Sequence, residues 1–264
     1  MSKSVGPHTA SRVQALFLPE ASDYVAGSAS ETIALAAPIS QSPFVRGLQT
    51  EAQRNALPIH VGIHEPTTDR TRVKNVLIWI DAEGKISHSY QKLHLFDVDI
   101  PGGPQLRESD SVEPGSSICP PFESPLGRVG AMICFDLRFP ALSSRLRDLG
   151  AEILTYPSAF TVPTGKAGHW KHLLQTRAIE NQCYVIAAAQ VGKHNEKRLS
   201  YGHSMIVDPW GSVMVEAPGD EAWAVDGEPS IIHAPIDLDM LTEVRRKMPL
   251  HPRTDVIELV ERKA

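Results

Sequence analysis

A chain of 264 residues is long enough for one large α/β domain or two small ones, and it can bury most of the surface its unfolded form exposes. Hydrophobic residues make up 42% and charged residues 22%, close to the averages for globular domains, which argues against a disordered chain and against a membrane-embedded one. A net charge of −5 with no long basic run leaves no footprint for nucleic acid and no polybasic segment for a membrane surface, so a small-molecule partner is expected.

The first nineteen residues, MSKSVGPHTASRVQALFLP, lack the apolar core of a signal peptide, and no later apolar segment reaches the ~18 residues needed to span a bilayer. They are Ser-rich and free of acid, as transit peptides are, yet cleavage there would remove the FLPE stretch; the cytoplasm is the expected compartment and a mitochondrial address the alternative. Residues 1–12 read as an irregular leader and 13–264 as one domain. VQALFLPE (13–20) reads as a short buried strand ending at Glu20. PFVRGLQTEAQRNAL (43–57) carries apolar residues at helical spacing, and IHVGIH reads as a strand after it. NVLIWI and KISHSYQK flank the turn signal DAEG, which predicts a hairpin with Lys92 just past its second strand. Residues 93–120 are rich in Asp, Gly, Pro and Ser, a long loop of the kind that shapes a site.

RVGAMIC (128–134) reads as the next strand. Pro140 then suits the first turn of a helix whose Leu142, Leu146 and Leu149 share a face and which Gly150 ends. AEILTYPS is a strand, HWKHLLQTRAIENQ a helix, YVIAAAQV a buried strand, and SMIVD-PWG-SVMVEA a hairpin; IIHAPIDL and a helix around Met240 to Lys247 complete the chain. No repeat or linker divides it, so the expected architecture is α/β with mixed sheets.

The three cysteines, Cys119, Cys134 and Cys183, are odd in number and have no CxxC spacing, which argues against a disulfide framework or a four-thiolate zinc site. Cys134 stands where a strand runs into a helix. There a side chain is exposed at the strand's carboxyl end, and the backbone N–H groups of the turn can receive developing negative charge. Taken singly it reads equally as a small buried hydrophobe. Glu20, at the end of an apolar strand, is costly to bury unless it is paired or working. Lys92, in YQKLHLF, taken alone is a snorkelling side chain, and Glu108, in RESDSVEPG, a surface acid.

Together the segments FLPEASDY, YQKLHLFDVDIPGGPQLRESDSVEPG and GAMICFDLRFP, in this order, resemble the nitrilase, or carbon-nitrogen hydrolase, superfamily from about Ala15 to the C-terminal region. The resemblance implies an α/β (α+β) fold of the four-layer α-β-β-α sandwich type, homodimeric, with a Glu20–Lys92–Cys134 triad, Glu108 as an additional glutamate, and neither cofactor nor metal. It implies that Cys134 attacks the substrate carbonyl while Glu20 takes and returns the proton, that Lys92 and the backbone N–H of Phe135 stabilise the oxyanion, and that a thioester is hydrolysed in a second step.

The later segments AEILTYPSAF and RAIENQCYVIAAAQVGKHNEKRLSYGHSMIVDPWG are similar to one branch, the deaminated glutathione amidases, whose substrate is anionic. Carboxylate contacts are then expected from Lys193, His194, Lys197 and Arg198 or from Arg177, with Tyr156 and Trp170 lining the pocket. His203 and Ser204 look like a hydrolase pair only superficially. An ω-amidase acting on 2-oxoglutaramate, or a truncated and catalytically silent scaffold protein, are the competing readings.

Two departures from the branch stand out. Ala167-Gly168-His169-Trp170-Lys171 replaces Ala-His-Trp-Glu, adding a glycine and reversing a charge. Only nineteen residues precede Glu20, too few for the strand and helix with which the superfamily begins, so an incomplete form of low solubility or activity is expected.

Overall fold

The computed structural model describes residues 13–99, 105–219 and 230–250; the leader expected at 1–12 lies outside the described residues. Two mixed sheets carry the fold. The first is ordered β1 (Leu16–Phe17), β2 (Ile59–Pro66), β3 (Val73–Ile80), β4 (Ile86–Gln91), with the short β7 (Val112–Glu113) also paired to β3. The second is ordered β15 (Val213–Glu216), β14 (Met205–Val207), β11 (Tyr184–Ala187), β10 (Ile153–Thr155), β9 (Gly127–Ala131), β8 (Phe122–Ser124). Strands β9, β10 and β11 run parallel; β8 and β14 flank them antiparallel, and β15 is antiparallel to β14.

The alternation of side chains along a strand sorts the first sheet into two faces. Ile59, Val61, Ile63, Val76, Ile78 and Ile80 pack against Val45 and Ala52 of helix α2 (Pro43–Asn55). The intervening Leu77 and Trp79 join the core shared with the second sheet, where Trp79 meets Phe122 edge-on at 5.4 Å. His60 also points inward, and its Nε2 lies 3.0 Å from Thr155 Oγ1 across the two sheets. Burial pushes that imidazole down to about 3, so it bridges the sheets in the neutral form.

Helices α3 (Pro140–Asp148) and α5 (His169–Asn181) cover the second sheet's outer face with Leu142, Leu146, Trp170, Leu174 and Ala178. Their approach is close. A Cβ added at Gly130 of β9 would sit 3.2 Å from Leu146 Cβ, which is why the strand carries glycine there. The layers therefore follow the α-β-β-α order expected from the sequence. Helix α2 starts where Ser42 caps Val45 N at 3.3 Å ahead of Pro43, and α3 ends where Gly150 takes φ +96°.

Two readings need correction, and one segment that had no assigned element gains one. The expected strand over 13–20 is regular only at Leu16–Phe17, because Pro19 has no N–H to continue the ladder; the chain still follows β2 through Gly62 N–Pro19 O and Ser22 N–Gly62 O before turning at Ala21 (φ +53°). The loop expected over 93–120 contains the paired strands β5 (Asp97–Asp99) and β6 (Gln105–Arg107) as well as β7. The basic run at 193–198 is a hairpin, β12 (Val191–Asn195) and β13 (Arg198–Tyr201). Helices α1 (Ala29–Leu35) and α4 (Val162–Lys166) were not expected, and α6 (Leu238–Lys247) closes the described chain.

Candidate active site

The turn after β9 holds Cys134 in an unusual backbone conformation. Its φ is +44°, which costs a non-glycine residue on the order of 1 kcal/mol and persists only where neighbours over-determine it. Here they do. Cys134 N donates to Pro157 O at 3.0 Å, and two residues on, the fully buried Asp136 carboxylate gathers four hydrogen bonds. Its Oδ2 accepts from Ile133 N at 2.9 Å and from Tyr90 Oη at 2.7 Å; its Oδ1 accepts from His94 N at 3.1 Å and His94 Nδ1 at 2.7 Å. Asp136 thus ties the cysteine turn to the segment that follows β4 and carries Lys92.

Lys92 is fully enclosed at 2% exposure, a position that an ammonium tolerates only with charged partners. Its Nζ donates to Glu20 Oε1 at 2.8 Å and to Glu108 Oε1 and Oε2 at 3.0 and 2.9 Å. Asn75, from β3, donates to Glu20 Oε1 at 2.8 Å and to Glu108 Oε1 at 3.2 Å, bracing both acids against the lysine. The backbone holds both acids as well, Glu20 Oε2 through Ala159 N at 2.8 Å and Glu108 Oε2 through Phe96 N at 2.7 Å.

These contacts decide where the protons sit. Burial acts to raise the Glu20 carboxyl, but the Lys92 charge and the hydrogen bonds from Lys92, Cys134 and Asn75 outweigh it and leave the group lowered, so it is a carboxylate at neutral pH. Burial likewise acts to lower Lys92; the charges of Glu108 and Glu20 reverse that and hold it well above the ordinary lysine range. For Cys134, burial and the facing Glu20 carboxylate push the thiol up, with Lys92 only partly opposing them. The resting arrangement is a thiol beside a carboxylate, with an ammonium between two acids.

All four side chains line one cavity of about 240 Å³, together with Phe135, Arg138, Phe160 and the segment that leads into α1. The Phe135 N–H donates to no partner among the described residues and lies beside the thiol in sequence. Arg198 lines the cavity as well.

The other expected substrate contacts do not reach it. Arg177 is buried and donates from Nε and Nη2 to Leu137 O at 3.0 and 2.7 Å, so it props the cysteine turn from behind. Tyr156 is fully buried with its hydroxyl 2.8 Å from Ser143 Oγ, and Trp170, also fully buried, donates to His203 O at 2.8 Å; both belong to the packing of α3 and α5. Lys193 pairs with Glu196 at 2.8 Å in solvent, His194 Nε2 meets Ser200 Oγ at 2.9 Å, and Lys197 N closes the hairpin turn onto Asn195 Oδ1 at 3.0 Å.

The inserted Gly168 adopts φ +85° at the start of α5, and Lys171 points away to Glu216 at 2.9 Å, so neither departure lines the cavity. His203 Nδ1 meets Glu216 Oε1 at 2.8 Å, a structural contact. Sequence reasoning missed Asn75 and Asp136. The available signal was a polar residue opening the apolar run NVLIWI, and an acid two residues after the cysteine. Among the described residues no group of His, Cys, Asp and Glu is arranged to hold a metal ion, and no helix is long and apolar enough to cross a membrane.

The geometry can be set beside known proteins. The family model described as carbon-nitrogen hydrolase matches residues 6–246. The chain is 45% identical over 242 residues to the probable hydrolase nit2 of Schizosaccharomyces pombe, covering 91% of this chain and 86% of that protein. It is 44% identical over 245 residues to the deaminated glutathione amidase of Mus musculus, covering 91% of this chain and 73% of that one. The solved structure of the C. elegans NitFhit protein superimposes with a TM-score of 0.80 at 38% identity, over 92% of this chain and 57% of that one.

Proposed function

The chain belongs to the carbon-nitrogen hydrolase family, and from that premise we propose that it hydrolyses the amide of deaminated glutathione to 2-oxoglutarate and cysteinylglycine through a thioester on Cys134. The observation that carries the chemistry is the Glu20–Lys92–Glu108 cluster facing the Cys134 thiol in one cavity. The substrate assignment rests on the likeness to the mouse amidase.

Because Glu20 is ionised and the thiol is not, the sulfur acquires its negative charge only as it attacks. Cys134 Sγ bonds to the amide carbon while its proton passes to Glu20, and the carbonyl oxygen becomes an oxyanion received by Lys92 Nζ and Phe135 N–H. The tetrahedral intermediate collapses by breaking the C–N bond, with Glu20 returning the proton to the departing amine of cysteinylglycine. Water then enters where the amine left. Glu20 removes a proton from it, the hydroxide adds to the thioester, and the C–S bond breaks with the proton restored to sulfur. No cofactor enters this cycle. Glu108 keeps Lys92 aimed, since it supplies two of the ammonium's three bonds.

The acyl portion of the substrate is anionic, and Arg138 offers a cation on the cysteine turn. Its guanidinium lies over the Phe135 and Phe160 rings at 5.9 and 5.7 Å and pairs with no carboxylate among the described residues. The three cysteines are free thiols, in keeping with the cytoplasmic setting we propose. Exposed Ile179 and Trp210 add apolar surface that suits the homodimer in this reading.

The test is turnover of deaminated glutathione and of 2-oxoglutaramate, measured side by side in the wild type and in Cys134→Ala. The expected result is preference for deaminated glutathione, loss of all turnover in the variant with its thermal melt unchanged, and an acyl hydroxamate trapped by hydroxylamine in the wild type. Turnover retained in Cys134→Ala refutes the mechanism; preference for 2-oxoglutaramate refutes the substrate.

A further inference from the structure

Glu20 must reach the amine it protonates, so the leaving half of the substrate lies on the Glu20 side of the cavity. That side has its own wall. Ala21, Tyr24 and Val25 continue from Glu20, and the β12–β13 hairpin is fastened over them: Gln190 Nε2 donates to Glu20 O and Ala21 O at 3.0 and 3.1 Å, and Asn195 Nδ2 to Val25 O at 3.1 Å. The hairpin is also bound to the chain beyond Ala159, through Tyr201 N–Phe160 O at 2.9 Å and a bridge between Thr161 and Ser200.

Alternation along β13 orients its side chains. Ser200 is 4% exposed and Leu199 48%, so Arg198 lies on the Ser200 side of the strand; it is itself exposed and lines the cavity from there. Each of the other lining cations has an assignment elsewhere. Lys92 is committed to two glutamates, Arg107 stands opposite Asp97 across β5 and β6, and Arg138 is the cation offered to the acyl portion. Arg198 forms no ion pair with a carboxylate among the described residues, whereas its neighbour Lys193 does.

We propose that Arg198 is the specificity-determining residue that reads the carboxylate of the leaving group, and that it separates a substrate with an anionic dipeptide leaving group from one that releases ammonia. The inference rests on the amidase reading above. A two-residue leaving group spans at most about 7 Å from its amine to its carboxylate, so the anion lands within that reach of Glu20, on the wall that the β12–β13 hairpin covers. A guanidinium there makes a charge-assisted, two-pronged contact with a carboxylate, and an amide terminus offers it none.

The experiment compares kcat/KM on deaminated glutathione, on its C-terminal amide and on 2-oxoglutaramate for the wild type, Arg198→Ala and Arg198→Lys. The expected result is a loss of roughly 10-fold or more on deaminated glutathione for Arg198→Ala, carried by KM, with Arg198→Lys recovering part of it. The C-terminal amide should cost the wild type a comparable factor and cost Arg198→Ala nothing further, while 2-oxoglutaramate should be turned over alike by all three proteins. Equal losses on deaminated glutathione and 2-oxoglutaramate, or no loss on the former, overturn the role of Arg198 while leaving the amidase reading standing. A wild type that turns over 2-oxoglutaramate but not deaminated glutathione overturns both.

Discussion

Replacing Lys92 with Met removes the cation from between two acids and leaves the rest of the cluster in place. Three bonds of 2.8 to 3.0 Å disappear, and two carboxylates that shared an ammonium are left facing each other in a site where the lysine is 2% exposed. Breaking a buried ion pair by deleting one partner costs about 3–5 kcal/mol, and with two acids orphaned at once the upper part of that range is expected at alkaline pH. The pH dependence has a definite sign. In the native protein Glu20 is lowered, so its stabilisation is present above its unfolded value of about 4.3 and is lost as pH falls through the folded value.

In Lys92→Met burial and the facing acid raise Glu20 instead, so its contribution is full below the unfolded value and is lost as pH rises through the folded one. The two stability curves therefore diverge with rising pH, by at most about 1.4 kcal/mol per pH unit for each proton involved. Urea unfolding between about pH 5 and about pH 8, with matching m values, measures the gap directly. A deficit below about 1 kcal/mol, or one that is the same at both ends of the range, would show that the cluster is solvated and that the enclosure argued for Lys92 is wrong.

Asp136→Asn keeps the shape of the residue but puts an amide N–H₂ where donors now converge; a destabilisation of about 1.5–3 kcal/mol and a loss of roughly 10-fold or more in acylation rate are expected, read by thermal melt and by iodoacetamide labelling of Cys134. Labelling and acylation at wild-type rates would mean that the cysteine turn holds itself. Gly62→Ala should act on the base from outside the cavity: its Cβ would lie 2.6 Å from Glu20 Cα and 3.1 Å from Pro19 O, so the backbone bearing Glu20 must move. The expected cost is about 1–3 kcal/mol in stability and about 100-fold in kcat, and an unchanged kcat would refute the need for that placement.

What the sequence made legible follows from where periodicity is written. Helices α3 and α5 and strands β2, β3 and β11 bury one or both faces, so apolar spacing betrayed them. Helix α1 buries none of its residues and carries no stripe to read, although it lines the cavity through Ala29 and Thr32. Glu20, Lys92 and Cys134 stood out as polar or reactive groups at the ends of apolar runs. Asn75 and Asp136 did not, because each acquires its meaning from partners 55 and 46 residues away, Glu20 and Tyr90. The basic run at 193–198 misled through density alone: a hairpin deals successive side chains to opposite faces, and of that cluster only Arg198 lines the cavity.

The 2.8 Å contact between Lys92 and Glu20 means more for turnover than for folding. On the proposed mechanism one negative charge is relocated and none is created. It leaves Glu20 when the thiol proton arrives there, and it reappears on the substrate oxygen in the same step. The ammonium that faced the first anion faces the second, so solvent has no part in redistributing that charge. A barrier that in water would include turning a shell of dipoles is met here by one cation that stays still while the charge moves past it.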